Sequence, residues 1–172
     1  MLNGRYYRTD PKVVDPSMLG PVQKAWLLKM LKQSTATFKM LCSPVPWTFG
    51  AKGNSLDTWN GFQAEREEIF GYIEQNRLTG VILISADRHR SDAWRIKRPN
   101  GYDLYEFNSS RLTNQHVHKT MPSAIFSYNQ KQSFGLVNID TTCQPPTVTY
   151  QVVNIEGEII ETLVVSLEQL QF

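Results

Sequence analysis

VILISADRHRSD, residues 81–92, is the stretch on which the reading of the fold turns. Four large apolar residues follow one another without alternation. Such a run marks a strand covered on both faces, as in a parallel sheet between layers. The run ends in small Ser85 and Ala86. Then Asp87, Arg88, His89, Arg90 and Asp92 arrive almost together. Either the chain surfaces there as a solvated turn, or the strand delivers Asp87 and His89 to a site. Ligands of open α/β sheets bind at the carboxyl ends of strands. On an extended backbone, side chains two residues apart leave on one face, with Cα atoms roughly 6–7 Å apart. A carboxylate and an imidazole so placed can serve two metal ions about 3.5–4 Å apart.

On the amino-terminal side of this strand the chain predicts helix, strand, helix. Residues 1–20 read as irregular. GPVQKAWLLKMLKQS follows, with Pro21 in the first helical turn, where its missing N–H costs nothing. Val22, Trp26, Leu27, Met30 and Leu31 make one apolar stripe at helical spacing. A short strand is expected over 36–42 and a long loop over 43–58. A second helix is expected over 61–77, with Asn60 as N-cap and Gln63 as its capping-box partner. Ile69, Phe70 and Ile73 form its buried stripe, and Glu65, Arg66, Glu67 and Glu68 a solvated face. The order helix, strand, helix, strand is that of an α/β layer.

Beyond residue 92, AWRIKR (93–98) and DLYEF (103–107) flank Asn100-Gly101, a hairpin signal. Residues 108–131 read as polar loop. Strands are expected over 133–140, 147–154 and 158–166, with Ile155-Glu156-Gly157 as the last turn.

A chain of 172 residues, 41% hydrophobic and 20% charged, is long enough for a real core. We read it as a single partial domain over 1–172 with no internal boundary. The net charge of +2 gives no nucleic-acid or membrane-surface signal. Nothing in the sequence is long and apolar enough to span a membrane, and MLNGRYYRTD has no signal-peptide core. Cys42 and Cys143 read as buried free thiols without zinc spacing, with a long-range disulfide as the alternative. His116-Val117-His118 is a second metal candidate, since both rings share a face if the segment is extended; the alternative is a polar loop with two solvated rings. Phosphate loops and nucleophile elbows are absent. Asp10, Asp15, Asp57 and Cys42 are scattered, without ligand spacing.

Six blocks in order then carry a resemblance. They are GRYYR (4–8), MLGPVQKAWL (18–27), STATFKMLCSPVPW (34–47), DTWNGFQAER (57–66), VILISADRHRSDAW (81–94) and YEFNSSRLTN (105–114). The second is similar to "LG-x-x-Q-x-x-WL" and the fifth to "LSGD-x-H". Together they resemble the PhoD-like alkaline phosphatases, within the calcineurin-like metallophosphoesterases. The resemblance implies an α/β (α+β) fold: the C-terminal half of a metallophosphoesterase-type β-sandwich flanked by helices. It implies metal-dependent hydrolysis of phosphate mono- and diesters at a dinuclear iron and calcium site. Asp87 then maps to the calcium-side carboxylate and His89 to the iron-side imidazole. Asp57, Trp59, Arg88 and Arg90 fall in matched blocks as candidates to support the ligands or contact the substrate; for Trp59 a packed anchor, and for the arginines a solvated turn, are the plain alternatives.

Two departures follow. The family's Cys-x-Asp block and its bridging Asp, Asn and Tyr ligands belong to an earlier half of its domain, which this sequence does not contain. Ala86 stands where the family has Gly, and Asn3 where Asp is expected. A phosphate-ester substrate, and an upstream catalytic segment or a homo-oligomer as partner, are therefore expected. A catalytically inactive remnant used as an interaction module is the alternative. The resemblance leaves the compartment undecided, although many family members are exported.

Overall fold

The computed structural model describes residues 1–113 and 115–172. Asn114, last residue of the YEFNSSRLTN block, lies outside the described residues. In chain order the elements are α1 (Gly20–Gln33), β1 (Lys39–Cys42), β2 (Ala51–Asn54), α2 (Gln63–Gln75), β3 (Val81–Ser85), β4 (Ser91–Ile96), β5 (Leu104–Ser109), β6 (Phe126–Tyr128), β7 (Ser133–Asp140), β8 (Thr147–Asn154) and β9 (Ile159–Ser166). Short 3-10 turns precede α2 (Trp59–Phe62) and follow β9 (Leu167–Leu170). One sheet has the order β1-β3-β5-β4-β6; the other is the antiparallel β7-β8-β9. In the first, β1, β3 and β5 run parallel, and β4 runs antiparallel to β5 and β6.

Strand β3 shows why its sequence does not alternate. Val81 and Leu83 pack with Leu27 and Leu31 of α1 and with Ile69, Phe70 and Ile73 of α2. Ile82, between them, points the other way, into a cluster with Phe107, Val148, Tyr150 and Val165. The five-stranded sheet is thus covered by helices on one face and by the three-stranded sheet on the other. Phe107 stacks on Tyr150 across that second interface, centroids 4.6 Å apart. An α+β sandwich with outer helices is the fold that the blocks imply.

Gly80 sets the entry into β3. Its φ is +73°, and a Cβ there would come within 2.0 Å of the Thr37 carbonyl oxygen. Only glycine fits.

Several local expectations are corrected. Glu65 and Arg66 do not lie on a solvated face: both are buried. The Glu65 carboxylate accepts the backbone N–H of Met18 (2.5 Å) and Leu19, and the Ser17 hydroxyl. It thereby supplies the negative charge that the amino terminus of α1 favours, where no N-cap side chain does so. Arg66 donates to the Trp47 carbonyl and lies 3.8 Å from the Phe49 ring centroid. The capping box at Asn60 is not formed: Thr58 caps the 3-10 turn, and Phe62 precedes α2. The α1 stripe is split, with Leu27 and Leu31 buried but Val22, Trp26 and Met30 exposed. The supposed loop 108–131 contains β6, which extends the sheet beyond β4, and the loop 43–58 contains the short β2. The hairpin at Asn100-Gly101 and the three last strands are as expected, and both cysteines are free, though partly rather than fully buried. No described helix is long and apolar enough to cross a membrane.

Candidate metal and phosphate site

Strand order explains the charged stretch. Both β3 and β4 flank β5, so residues 86–90 must cross the carboxyl end of β5 between them. Those two strands lie about 9.5 Å apart, twice the inter-strand spacing. The crossing is pinned from below. Asn108 Nδ2 donates to Ser85 Oγ and to the Ala86 carbonyl, and Ser110 Oγ accepts the backbone N–H of both Arg88 (2.7 Å) and His89 (3.0 Å).

The backbone in this crossing is not extended. Asp87 has φ +70° and His89 φ +47°. Asp and His are among the few side chains that enter the left-handed region at tolerable cost. The expected shared face is therefore corrected: the twist sends the two side chains to different neighbours. Asp87 meets Lys52 Nζ at 2.8 Å and Arg5 at 3.6 Å. His89 turns toward His116 and His118, with ring centroids 5.7 and 5.3 Å away. Ala86 keeps an ordinary φ, so the missing glycine brings no strain. Asn3 needs only an acceptor: its Oδ1 takes the backbone N–H of Arg5 and Tyr6.

Asp57 lies beside Asp87. It accepts from Arg5 (2.6 Å), Arg8 (2.7 Å) and Lys52 (3.2 Å). Burial would raise its pKa, but the hydrogen bonds from Arg8, Arg5 and Lys52 outweigh that and hold it at about 2. Lys52 thus bridges the two carboxylates. Trp59 is a packed anchor, stacked on Trp47 at 4.4 Å and bonded through Nε1 to Ser43 Oγ.

The two arginines are buried, which rules out a solvated turn. Arg90 is a brace: its Nε reaches both Asp92 oxygens at 2.8 Å and its Nη2 the Ala51 carbonyl. Arg88 differs. It is 5% exposed, and its Nε and Nη1 have no hydrogen-bond partner among the described residues. Burial first, then the charge of Arg90, lowers its pKa from the usual guanidinium value. His118 is held neutral near pH 7: burial, then Arg88 and the other two histidines, lower its pKa to about 4.

Sequence reading missed Glu106. Fully buried on β5, it accepts from the Trp47 and Thr48 backbone N–H groups and from the Thr48 and Ser85 hydroxyls. It ties the loop 43–58 to the strand that ends at the site. A charged residue inside the apolar-rich segment LYEF was the signal available for it.

Asp87 and His89 offer the donor types of the implied centre, a hard oxygen and an imidazole nitrogen. The Lys52 ammonium stands at Asp87 where a cation would. The two side chains do not converge on a common point, however, and no further carboxylate or thiolate joins His89 among the described residues. Alone, they fit part of a dinuclear centre.

A profile of the PhoD-like phosphatases matches residues 1–157. The chain belongs to that family. Alkaline phosphatase D of Bacillus subtilis (strain 168) is similar, 32% identical over 81 residues, which make up 44% of this chain and 14% of that protein. A solved structure of PhoD superposes with a TM-score of 0.66 at 19% identity, over 96% of this chain and 38% of that one. GAP50, the anchor in the inner membrane complex of Plasmodium, follows with a TM-score of 0.54 and 10% identity, over 85% of this chain and 42% of that one. The chain thus spans well under half the length of each of these relatives.

Proposed function

We propose that this PhoD-like chain is part of a phosphoesterase that hydrolyses phosphate mono- and diesters, with the phosphoryl group held at the β3–β4 crossing. The observation that carries this reading is Arg88. A buried guanidinium with two donors unpaired among the described residues is costly unless an anion arrives to accept them. Its planar fork matches two phosphate oxygens, and its charge is felt by His118 and feels that of Asp87, so an anion held there would lie near the proposed ligands.

Metal ions at Asp87 and His89, iron and calcium by family resemblance, would supply an activated water and neutralise charge on the transferring group. Asp87 provides a carboxylate already accustomed to a cation. Lys52 lies within reach of Asp57 as well, so it can move onto Asp57 when Asp87 is taken. The crossing, pinned by Ser110 and Asn108, fixes where Arg88 presents its donors. The remaining ligands come from polypeptide equivalent to the part of the PhoD fold that this chain does not span.

The test is hydrolysis of p-nitrophenyl phosphate by the chain folded together with the complementary segment of a PhoD-like phosphatase, iron and calcium supplied. Arg88→Met should raise KM about 10- to 100-fold, the loss of one or two charge-assisted hydrogen bonds, and Arg88→Lys should recover part of it. Asp87→Ala and His89→Ala should abolish turnover with an unchanged far-ultraviolet spectrum. An active His89→Ala enzyme refutes the ligand role, and no hydrolysis by the reconstituted pair overturns the enzyme reading.

A further inference from the structure

The pairing of Asp87 with His89 leaves His116 and His118 unused. Both stand on the irregular segment between β5 and β6, and both turn toward His89. The chain has three histidines in 172 residues, and all three meet here. One ring nitrogen from each lies within 4.8 Å of the other two. The rings cross at 80°, 48° and 86° instead of stacking in parallel.

The hydrogen bonding prepares His89 for ligation. Its Nδ1 lies 3.1 Å from the His116 carbonyl oxygen. A carbonyl only accepts, so Nδ1 carries the proton and Nε2 is the nitrogen left for a metal. That is the arrangement in which a metal-binding imidazole is usually held. The segment itself is anchored, since Asn129 Nδ2 donates to the His118 carbonyl at 2.9 Å.

We infer that His89, His116 and His118 form a mononuclear transition-metal site of the Zn2+ class. Three imidazole nitrogens without carboxylate or thiolate suit Zn2+, Ni2+ or Cu2+ and disfavour Ca2+ and Mg2+, which want oxygen. Tetrahedral Zn–N bonds of about 2.0–2.1 Å put ligand nitrogens about 3.3 Å apart, so the rings draw in by up to about 1.5 Å on binding. His116 is exposed and His118 half-buried on irregular backbone, which permits that movement. A fourth position stays open to water or an anion. Asp87 takes no part, but His89 is shared with the proposed phosphoesterase site, so the two readings are told apart by metal binding that depends on His116 and His118 and not on Asp87.

The chain, stripped with chelator, is titrated with Zn2+ by calorimetry and with Co2+ by visible absorption. One Zn2+ per chain, Co2+ d–d bands and no heat with Ca2+ are expected. His116→Ala and His118→Ala should each weaken Zn2+ binding by about 100-fold or more, beyond what loss of an outer-shell partner usually costs. Asp87→Ala should leave affinity unchanged. Both loop substitutions sit away from the core, and circular dichroism verifies that they fold. As a second readout, the imidazole NMR signals of all three histidines should shift together with Zn2+. Binding that survives both loop substitutions, that needs Asp87 equally, or that leaves one ring unmoved overturns the site.

Discussion

Asp57 serves three cations at once, and it binds them only as the anion. Its pKa, at about 2, lies below the ordinary 3.8 of an aspartate. A carboxyl group depressed in the folded state contributes stability that is complete above the unfolded pKa and is lost as pH falls through the folded one. Asp57→Asn should therefore lower the melting temperature at pH 7, and the gap to the parent should close between about pH 4 and pH 2. The side chain is partly exposed, so the effect is modest and shrinks in high salt. A gap independent of pH, measured by thermal scans across that range, would mean that Asp57 acts through packing instead. The same residue illustrates what residue identity conceals. Asp87 and His89 were legible as ligand types, because carboxylate and imidazole are rare together at a strand end. Their left-handed backbone was not, because it follows from crossing β5, a contact with residues more than twenty positions away. Arg88, Arg90, Glu65 and Arg66 look like surface charge in sequence. Burial with partners, or in Arg88 without them, is a tertiary property.

At the scale of elements, the segment from Ser43 to Phe62 is held less by its own secondary structure than by buried polar anchors. Glu106 is the central one, since Trp47 and Thr48 hang on it through their backbone N–H groups. Burial pushes its pKa up, while the four donors favour the carboxylate. Glu106→Ala would leave two backbone donors unpaired, each costing about 1–3 kcal/mol. A destabilisation of about 2–6 kcal/mol is expected in denaturant titration, with Trp47 and Trp59 becoming accessible to quenchers. Glu106→Gln should recover only part of it, because its amide NH2 faces donors. An Ala variant within about 0.5 kcal/mol of the parent, the range of ordinary surface substitutions, would show that the loop holds without this anchor. Elements with strong local signals were readable: the unbroken apolar β3, the Asn-Gly hairpin and the alternating β7 to β9. Strands β2 and β6 were not. They are three or four residues long, and β6 exists because β4 offers it an edge.

For the whole molecule, the decisive feature is the open side of the five-stranded sheet. Strand β1 is its outer strand, and among the described residues the Cys42 carbonyl is the one backbone group on that edge that is taken, by the Leu2 N–H at 2.8 Å. Between β1 and α1 runs a groove of about 460 Å³, lined by Leu2, Trp26, Met30, Leu31, Met40 and Leu41. An apolar groove along an unpaired strand is an association surface. We propose that polypeptide equivalent to the rest of the PhoD fold occupies it, because this chain spans only 38% of the PhoD structure that it matches. Adding the complementary segment of a PhoD-like phosphatase should then give a 1:1 complex by light scattering. It should also shield Trp26, which is 49% exposed whereas Trp47, Trp59 and Trp94 are buried, from acrylamide quenching. Met30→Asp and Met40→Asp, which charge the groove without touching the site, should prevent both changes. Without the segment the chain should associate with itself or unfold broadly. A monomer that unfolds in one sharp, reversible transition and ignores the added segment would show that the exposed stripe of α1 is ordinary surface. The α1 stripe was read from sequence as one face packed on a core. Half of it is, and the exposed half, with Trp26 and Met30, is the surface that the proposed segment would cover.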